Sequence, residues 1–189
     1  MSLSLVWQIL FYGWFASEIL VGVVRRTKRS GGKVQDRGSL IILWIVIAVS
    51  ITACQWISEA TRPNMFGGAH ALKSAGVIVM LVALAIRWTA IFTLGKFFSS
   101  NVAIQESQRI VRTGLYRFVR HPSYLGLLLA FLAVGLHSRN WISFAIVLVP
   151  TTAALLYRIH VEEAALAQAF GDDYAAYSKT TKRFVPGLY

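Results

Sequence analysis

Charge and sulfur are both scarce in this chain, and each scarcity closes off a class of protein. Asp, Glu, Lys and Arg together make up only 14% of the 189 residues, and just 8 residues are acidic. Ordinary soluble domains carry roughly 25% charged residues. The single cysteine, Cys54, lies inside an apolar run. No intrachain disulfide can form from it, and a structural zinc site has too few thiols, so no metal is expected and Cys54 is read as inert packing.

What the chain has in abundance is apolar length: 56% hydrophobic residues and a mean hydropathy of +0.58. A helix needs about 20 mostly apolar residues to cross roughly 30 Å of hydrocarbon. Leu3 to Val24, Leu40 to Ile57 and Ser74 to Leu94 meet that requirement. Two shorter runs, Tyr124 to Leu136 with Ser123 at its start and Trp141 to Tyr157, flank the polar tetrad His137-Ser138-Arg139-Asn140, which is short enough to turn a helical hairpin. The amino terminus has no basic leading region and no small-residue cleavage site before Arg25, so the first run is expected to remain as an anchor.

A net charge of +11 would suggest a nucleic-acid partner if the basic residues formed one soluble face, but here they punctuate apolar runs. They read as topology instead. Arg25, Arg26, Lys28, Arg29, Lys33 and Arg37 follow the first span; Lys96, Arg109, Arg112, Arg117 and Arg120 follow the third; Arg158, Lys179, Lys182 and Arg183 follow the fifth. Because such residues concentrate in cytoplasmic loops, the sorting places the amino terminus outside and the carboxy terminus inside. The source membrane, bacterial inner or endoplasmic, stays open. The basic inner loop around Gly31-Gly32 suits anionic lipid headgroups, and the outer loop, broken at Pro63, Gly67 and Gly68, holds His70 as an ordinary solvated residue.

The expected fold is therefore all-α, one multi-pass membrane domain over residues 1–189. It has five transmembrane helices, the last two a hairpin, with cytoplasmic interfacial and C-terminal helices. Polar elements over 95–126 and 158–189 share the inner side. Ser99 to Val119 mixes apolar and basic residues irregularly and is expected to lie along the membrane interface. The last segment carries Ala164, Ala165, Leu166, Ala169 and Phe170 at helical spacing, with a break at Gly171. Trp7, Trp44, Trp56, Trp88 and Trp141 are assigned to anchoring and Trp14 to packing.

Polar chemistry concentrates in Gly114 to Gly126, a basic and aromatic stretch joined directly to an apolar helix. Arg120 offers a planar, permanently charged fork for a carboxylate; His121 has two ring nitrogens; Tyr116 and Tyr124 combine an aromatic face with a hydroxyl. Pro122 suits the first turn of a helix, where its missing donor would be unpaired anyway. Gly126, one turn further, leaves room for a ligand or a neighbouring helix. Glu162 and Glu163 can accept from hydroxyl or ammonium groups. On a helix these neighbours point about 100° apart, so they do not serve one group equally, and a glycosidase-type carboxylate pair finds no support.

Arg120-His121-Pro122-Ser123-Tyr124-Leu125-Gly126, followed by Glu162-Glu163, resembles the signature of the isoprenylcysteine carboxyl methyltransferase family, in its prokaryotic form. The likeness extends to Leu94-Gly95-Lys96-Phe97, Val111 to Tyr116, Phe170-Gly171, Tyr174, Tyr177 and Arg183 to Gly187, while the first half matches mainly in its pattern of spans. The resemblance implies an integral membrane enzyme using S-adenosylmethionine and releasing S-adenosylhomocysteine. It implies donor contacts from His121, Pro122, Tyr124, Gly126, Glu162 and Glu163, with Arg120 near the transferred methyl; Tyr116 joins the donor site, and Arg120 and Glu163 are the expected catalytic pair. The acceptor would be a lipophilic small molecule or lipidated substrate within the membrane lipids. A carboxylate is the leading acceptor and a lipid amine the alternative; a noncatalytic lipid-binding or structural protein is the reading from another class. No glycine-rich strand-to-helix turn precedes a suitable acid, which excludes the soluble doubly wound methyltransferase architecture.

Two ionisable residues fall inside spans, where charge is costly. Glu18 lies seven residues before Arg25 and Arg87 nine before Lys96, which at 1.5 Å per residue puts both on the order of 10 to 13 Å above the inner helix ends. Equal depth predicts an ion pair between the first and third spans, with an acidic substrate head as the competing partner for Arg87.

Overall fold

The computed structural model describes residues 2–24, 32–34, 36, 38–61, 68–105 and 107–184. The basic run Arg25 to Arg29 with Gly31, the loop positions Pro63 and Gly67, and the tail Val185 to Gly187 lie outside the described residues. Helices α1 (Leu3–Val24), α2 (Ser39–Ala60), α3 (Ala69–Leu94), α4 (Pro122–Ser138) and α5 (Trp141–Thr180) form the molecule, together with a two-stranded antiparallel ribbon of β1 (Gly32–Val34) and β2 (Ala103–Gln105). α1, α2, α3 and α5 are long and apolar enough to cross a membrane. α4 is shorter: its 17 residues reach only about 25 Å. Large apolar side chains such as Val23, Ile41, Trp56, Phe92 and Val149 remain 62–72% exposed, which suits a lipid surround and not water.

The core lies where the helices meet. Phe131 and Met80 are fully buried, and Trp14 of α1 meets Phe131 edge-on at 5.7 Å between ring centroids. Cys54 packs in the same cluster. α3 and α4 approach most closely, because small residues line their seam. A Cβ on Gly76 would stand 3.1 Å from the Ala133 carbonyl oxygen, and one on Gly126 would stand 2.8–2.9 Å from the Cβ and backbone of Arg87.

The hairpin forms at the expected tetrad. Arg139 takes the left-handed conformation that ends α4, and Asn140 caps α5 by accepting from the Ile142 and Ser143 amides at 2.9 and 3.1 Å. α5 then runs for 40 residues, about 60 Å, twice the hydrocarbon thickness; residues 158–180 are the extension beyond the span. Its one departure from helical geometry is Gly171 (φ 49°), where the break was expected.

Between α3 and α4 the expectation of an interfacial helix is not met. The stretch holds β2 and two single turns of 3-10 helix, Gly95–Phe97 and Gly114–Arg117. Its backbone polar groups are taken by neighbours instead of by a helix ladder: β2 pairs with β1, and the Val102 amide donates to Asp36 at 3.2 Å. Trp44, assigned to anchoring, lies instead against Gly22 at 3.3 Å measured from that glycine's would-be Cβ. Trp7 stacks on His137 with ring centroids 3.9 Å apart.

Gly126→Ala should force α3 and α4 apart at the Arg87 backbone and cost about 1–3 kcal/mol, a typical overpacking penalty. Thermal unfolding in detergent should show a larger loss than for Gly76→Ala, whose added carbon meets its nearest neighbours, the Ala133 carbonyl oxygen and His137, only at 3.1–3.4 Å.

Candidate active site

The polar residues gather at the end of the bundle where α1 and α3 finish and α2 and α4 begin. Pro122 occupies the first turn of α4, so His121 becomes its cap residue and Arg120 the last residue of the incoming chain. The carboxy-terminal segment then runs alongside: the Arg120 amide donates to the Lys182 carbonyl at 2.7 Å and the His121 amide to the Arg183 carbonyl at 3.1 Å. The Tyr177 hydroxyl adds a bond to the Tyr116 carbonyl at 2.8 Å.

Glu163 is the hub of this assembly. Its carboxylate accepts from Arg120 Nε and Nη2 at 3.2 and 3.1 Å, lies 3.2 Å from His121 Nε2, and accepts from Arg183 at 2.6–3.2 Å. Arg120 also donates to the carbonyls of Ser178, at 3.0 Å, and Thr181. Burial pushes the Glu163 carboxyl up, but the bonds from His121 and Arg183 and the charge of Arg120 outweigh it and hold the group well below the ordinary carboxylate range.

A second network centres on Arg158, which is 2% exposed. It donates to the Tyr124 hydroxyl, to Asp36 and to the Ser39 hydroxyl, each at 3.0 Å, and to the Ser100 carbonyl. With Arg158 donating to it, the Tyr124 hydroxyl directs its own proton to Glu162 at 2.6 Å. Burial works against the Asp36 charge, yet the Val102 amide, Arg158, Ser39 and the Leu40 amide together keep its carboxyl below the ordinary value.

The third element is the buried pair expected from depth. Arg87 Nε and Nη2 donate to the two Glu18 oxygens at 2.9 and 2.7 Å. Arg87 Nη1 reaches the Ser123 carbonyl at 3.3 Å and the Ser123 hydroxyl, so the pair grips the first turn of α4.

These networks surround one cavity. Glu18, Arg87, Tyr116, Arg120, His121, Ser123, Tyr124, Arg158, Glu162, Tyr174 and Tyr177 supply the polar part of its wall. Trp14, Phe15, Leu43, Trp44, Ile47 and Leu127 supply an apolar part reaching down α1, α2 and α4, and the stretch from Phe97 to Val111 covers it.

Several expected contacts are placed differently. Glu163 lies behind Arg120 and His121, on a shallow recess with Ala164, Ala167 and Gly171, and not on the main cavity wall. Gly126, expected among the donor contacts, instead seats the Arg87 backbone, and Pro122 is buried as the opening of α4; neither lines the cavity. Glu162 does line it, with Tyr124 as its bonded partner. Tyr174, 6% exposed, lines the cavity, while its hydroxyl is buried and meets no hydrogen-bond partner among the described residues. Burial, and then the Glu163 charge, push that phenol up, so it remains a proton donor. Among the described residues no cluster of three His, Cys, Asp or Glu could hold a metal ion.

Arg158, Asp36 and Arg183 were not singled out from sequence. Two signals were available: Asp36 is the lone acid in a basic connection, and Arg158 stands one helical turn before Glu162.

A bundle of membrane-length helices with charged networks closing one end defines an integral, multi-pass membrane protein with a polar site beside its apolar layer. The model of the isoprenylcysteine carboxyl methyltransferase family matches residues 76–168, from mid α3 through the Glu162-Glu163 pair. The chain belongs to that family. It is 34% identical to protein-S-isoprenylcysteine O-methyltransferase A of Arabidopsis thaliana over 61% of this chain and 59% of that protein. It is 28% identical to methanethiol S-methyltransferase 1 of Bradyrhizobium diazoefficiens over 78% of this chain and 54% of the relative. The solved structure of the eukaryotic intramembrane Ras methyltransferase ICMT superposes with a TM-score of 0.60 at 26% identity, covering 77% of this chain and 52% of that one. The chain thus spans about half to three fifths of the length of these relatives.

Glu163→Gln should leave Arg120 and Arg183 without their shared counter-charge. The expected loss at neutral pH is about 2–3 kcal/mol, under the roughly 3–5 kcal/mol of a fully buried pair, because the Arg183 side chain is 32% exposed. Since the folded-state pKa is depressed, this stabilisation is complete above the ordinary carboxylate range and fades as pH falls toward the folded value. Unfolding curves of wild type and variant should differ most near pH 7 and converge in acid.

Proposed function

We propose that this protein transfers a methyl group from S-adenosylmethionine to a carboxylate on a lipophilic acceptor that enters from the bilayer. The observation that carries this reading is one cavity with two kinds of wall, a charged and aromatic end at the start of α4 and an apolar end along α1 and α2. A lipid-soluble acceptor and a polar, charged donor need just those surroundings in contact.

The residues present fit the donor. It brings a sulfonium-bound, electrophilic methyl, an amino acid, a ribose and an adenine. Glu162 opposes positive charge, and His121, Tyr116 and Tyr174 offer ring faces. Tyr124 and Arg158 fix the Glu162 carboxylate in place. Arg120 faces the cavity as the charged wall for an anionic acceptor head. Glu163 is a positioning residue, holding Arg120 and His121 from behind.

A carboxylate acceptor is already deprotonated at neutral pH, so no cavity residue needs to act as a base. The reaction forms an oxygen–carbon bond and breaks a sulfur–carbon bond with no net proton transfer. The protein's work is alignment and exclusion of water, to which the Phe97 to Val111 cover contributes. The orientation that agrees with the basic-loop sorting places this end of the bundle in the cytoplasm.

Membranes containing the protein, incubated with methyl-labelled S-adenosylmethionine, should yield a labelled lipid extract from which mild base releases methanol, the mark of a methyl ester. Glu162→Gln should lower kcat/KM at least tenfold, chiefly through weaker donor binding, a loss expected for a charged contact. A base-stable label would point to an amine or thiol acceptor; no S-adenosylmethionine-dependent label and no donor binding would support a noncatalytic protein.

A further inference from the structure

Four tyrosines line the cavity, and their hydroxyls have different surroundings. Tyr124 gives its proton to Glu162 and accepts from Arg158, Tyr177 donates to the Tyr116 carbonyl, and the Tyr174 hydroxyl is closed off by protein. Tyr116 differs from all three. It is 6% exposed, and its hydroxyl has no partner among the described residues yet is not closed off, so the oxygen opens on the cavity that the residue lines. A ligand that displaces water from that oxygen has to replace the contact.

The oxygen is held in place, and its surroundings select a charge. The turn that carries it, Gly114–Arg117, is seated with Gly114 against Thr93 of α3, and the Tyr177 hydroxyl fixes the Tyr116 carbonyl at 2.8 Å. Burial, and then the Glu162 carboxylate, push the phenol well above its ordinary range, with Arg87 pulling the other way. The group is therefore a neutral hydroxyl at neutral pH, its lone pairs available, under the influence of an acid first and an arginine second. Glu162 belongs to the wall assigned to the donor, and Arg87, through Glu18, to the end where the apolar wall along α1 begins. A group touching Tyr116 lies between them, where donor and acceptor meet. The negative charge of Glu162 favours a cation there. The donor's ammonium has N–H groups that the Glu162 carboxylate serves directly. Its sulfonium has none, and an oxygen can hold it only through polarised C–H bonds.

We infer that the Tyr116 oxygen receives the methyl-bearing sulfonium of the donor, its lone pairs against the polarised C–H bonds, so that the methyl is aimed at the acceptor without any bond forming to the phenol. This rests on the S-adenosylmethionine reading above and names the residue that orients the transferred group. Tyr116 touches the reacting centre, whereas Tyr124 acts on Glu162 and Tyr177 on the Tyr116 backbone.

The test uses the full chain purified in detergent and three ligands that share the nucleoside and the amino acid. S-adenosylmethionine carries the sulfonium methyl, sinefungin carries an ammonium in its place, and S-adenosylhomocysteine carries an uncharged sulfur. Tyr116→Phe should raise the Kd of S-adenosylmethionine about three- to fivefold, the loss of a contact to polarised C–H groups. For sinefungin the rise should be about tenfold, the loss of a hydrogen bond to a charged group. The Kd of S-adenosylhomocysteine should stay within about 1.5-fold, since it has neither the charge nor the methyl. The ligand-free Tm should be unchanged, because the hydroxyl has no partner among the described residues. Equal weakening of all three ligands, which is what a contact to the amino-acid ammonium gives, would overturn the inference. So would unchanged binding of all three, or a fall in the ligand-free Tm, which would mean that the hydroxyl serves the fold. Failure of the wild-type chain to bind any of the three would instead remove the methyl-donor reading itself, a different and recognisable result.

Discussion

A single carboxylate draws the functional end of this molecule together. Glu163 sits on the extension of α5, Arg120 and His121 precede α4, and Arg183 belongs to the carboxy-terminal segment. Without a shared counter-charge the two guanidinium groups would repel each other at close range, and the backbone bonds between the two segments would have to hold against that repulsion. With it, the tail lies in register beside the approach to α4, each of two consecutive amides finding a carbonyl across the gap. The geometry of the cavity wall follows from that convergence, although the carboxylate itself stands behind the wall.

The same economy operates deeper in the bundle. Charged groups in an apolar layer persist only when paired and hydrogen-bonded, and both inner networks satisfy that condition. The Glu18 and Arg87 pair is bidentate, and it uses the remaining guanidinium donors to hold Ser123. Arg158 is satisfied by four different residues drawn from the connection before α2, α2 itself, α4 and the cover over the cavity. Each buried charge therefore joins elements as well as being neutralised. Few charged residues are present, and those at this end of the bundle serve as its joints.

How much of this was legible beforehand depended on the range of the interaction. Helix positions followed from apolar run lengths, and the hairpin and the Gly171 break from local turn chemistry. The Glu18 and Arg87 pair was legible because depth in a bilayer is a one-dimensional coordinate that sequence spacing supplies directly. Convergence of Arg120, His121 and Glu163 was anticipated from the shared motifs. Three things were not legible. Arg158 was absorbed into a count of inner charges: its place one helical turn before Glu162 was a signal, but its burial is set by Asp36, Ser39 and Ser100, which are distant in sequence. Gly126 had two possible neighbours, a ligand or a helix, and only tertiary packing decides that it is α3. The cover from Phe97 to Val111 gives no periodic signal because its backbone is satisfied by contacts distant in sequence, including Asp36, 66 residues before Val102.

The pairing of Arg120 and His121 with Lys182 and Arg183 has a consequence for biogenesis. Membrane insertion proceeds from the first helix onward, so the bundle can be threaded and its apolar layer settled while the final stretch is still being synthesised. Until Arg183 has been added and has folded back, Glu163 lacks one of its cations and the approach to α4 lacks the neighbouring strand that fixes its backbone. A nascent chain is thus anchored in the bilayer well before it can present a finished pocket to any ligand.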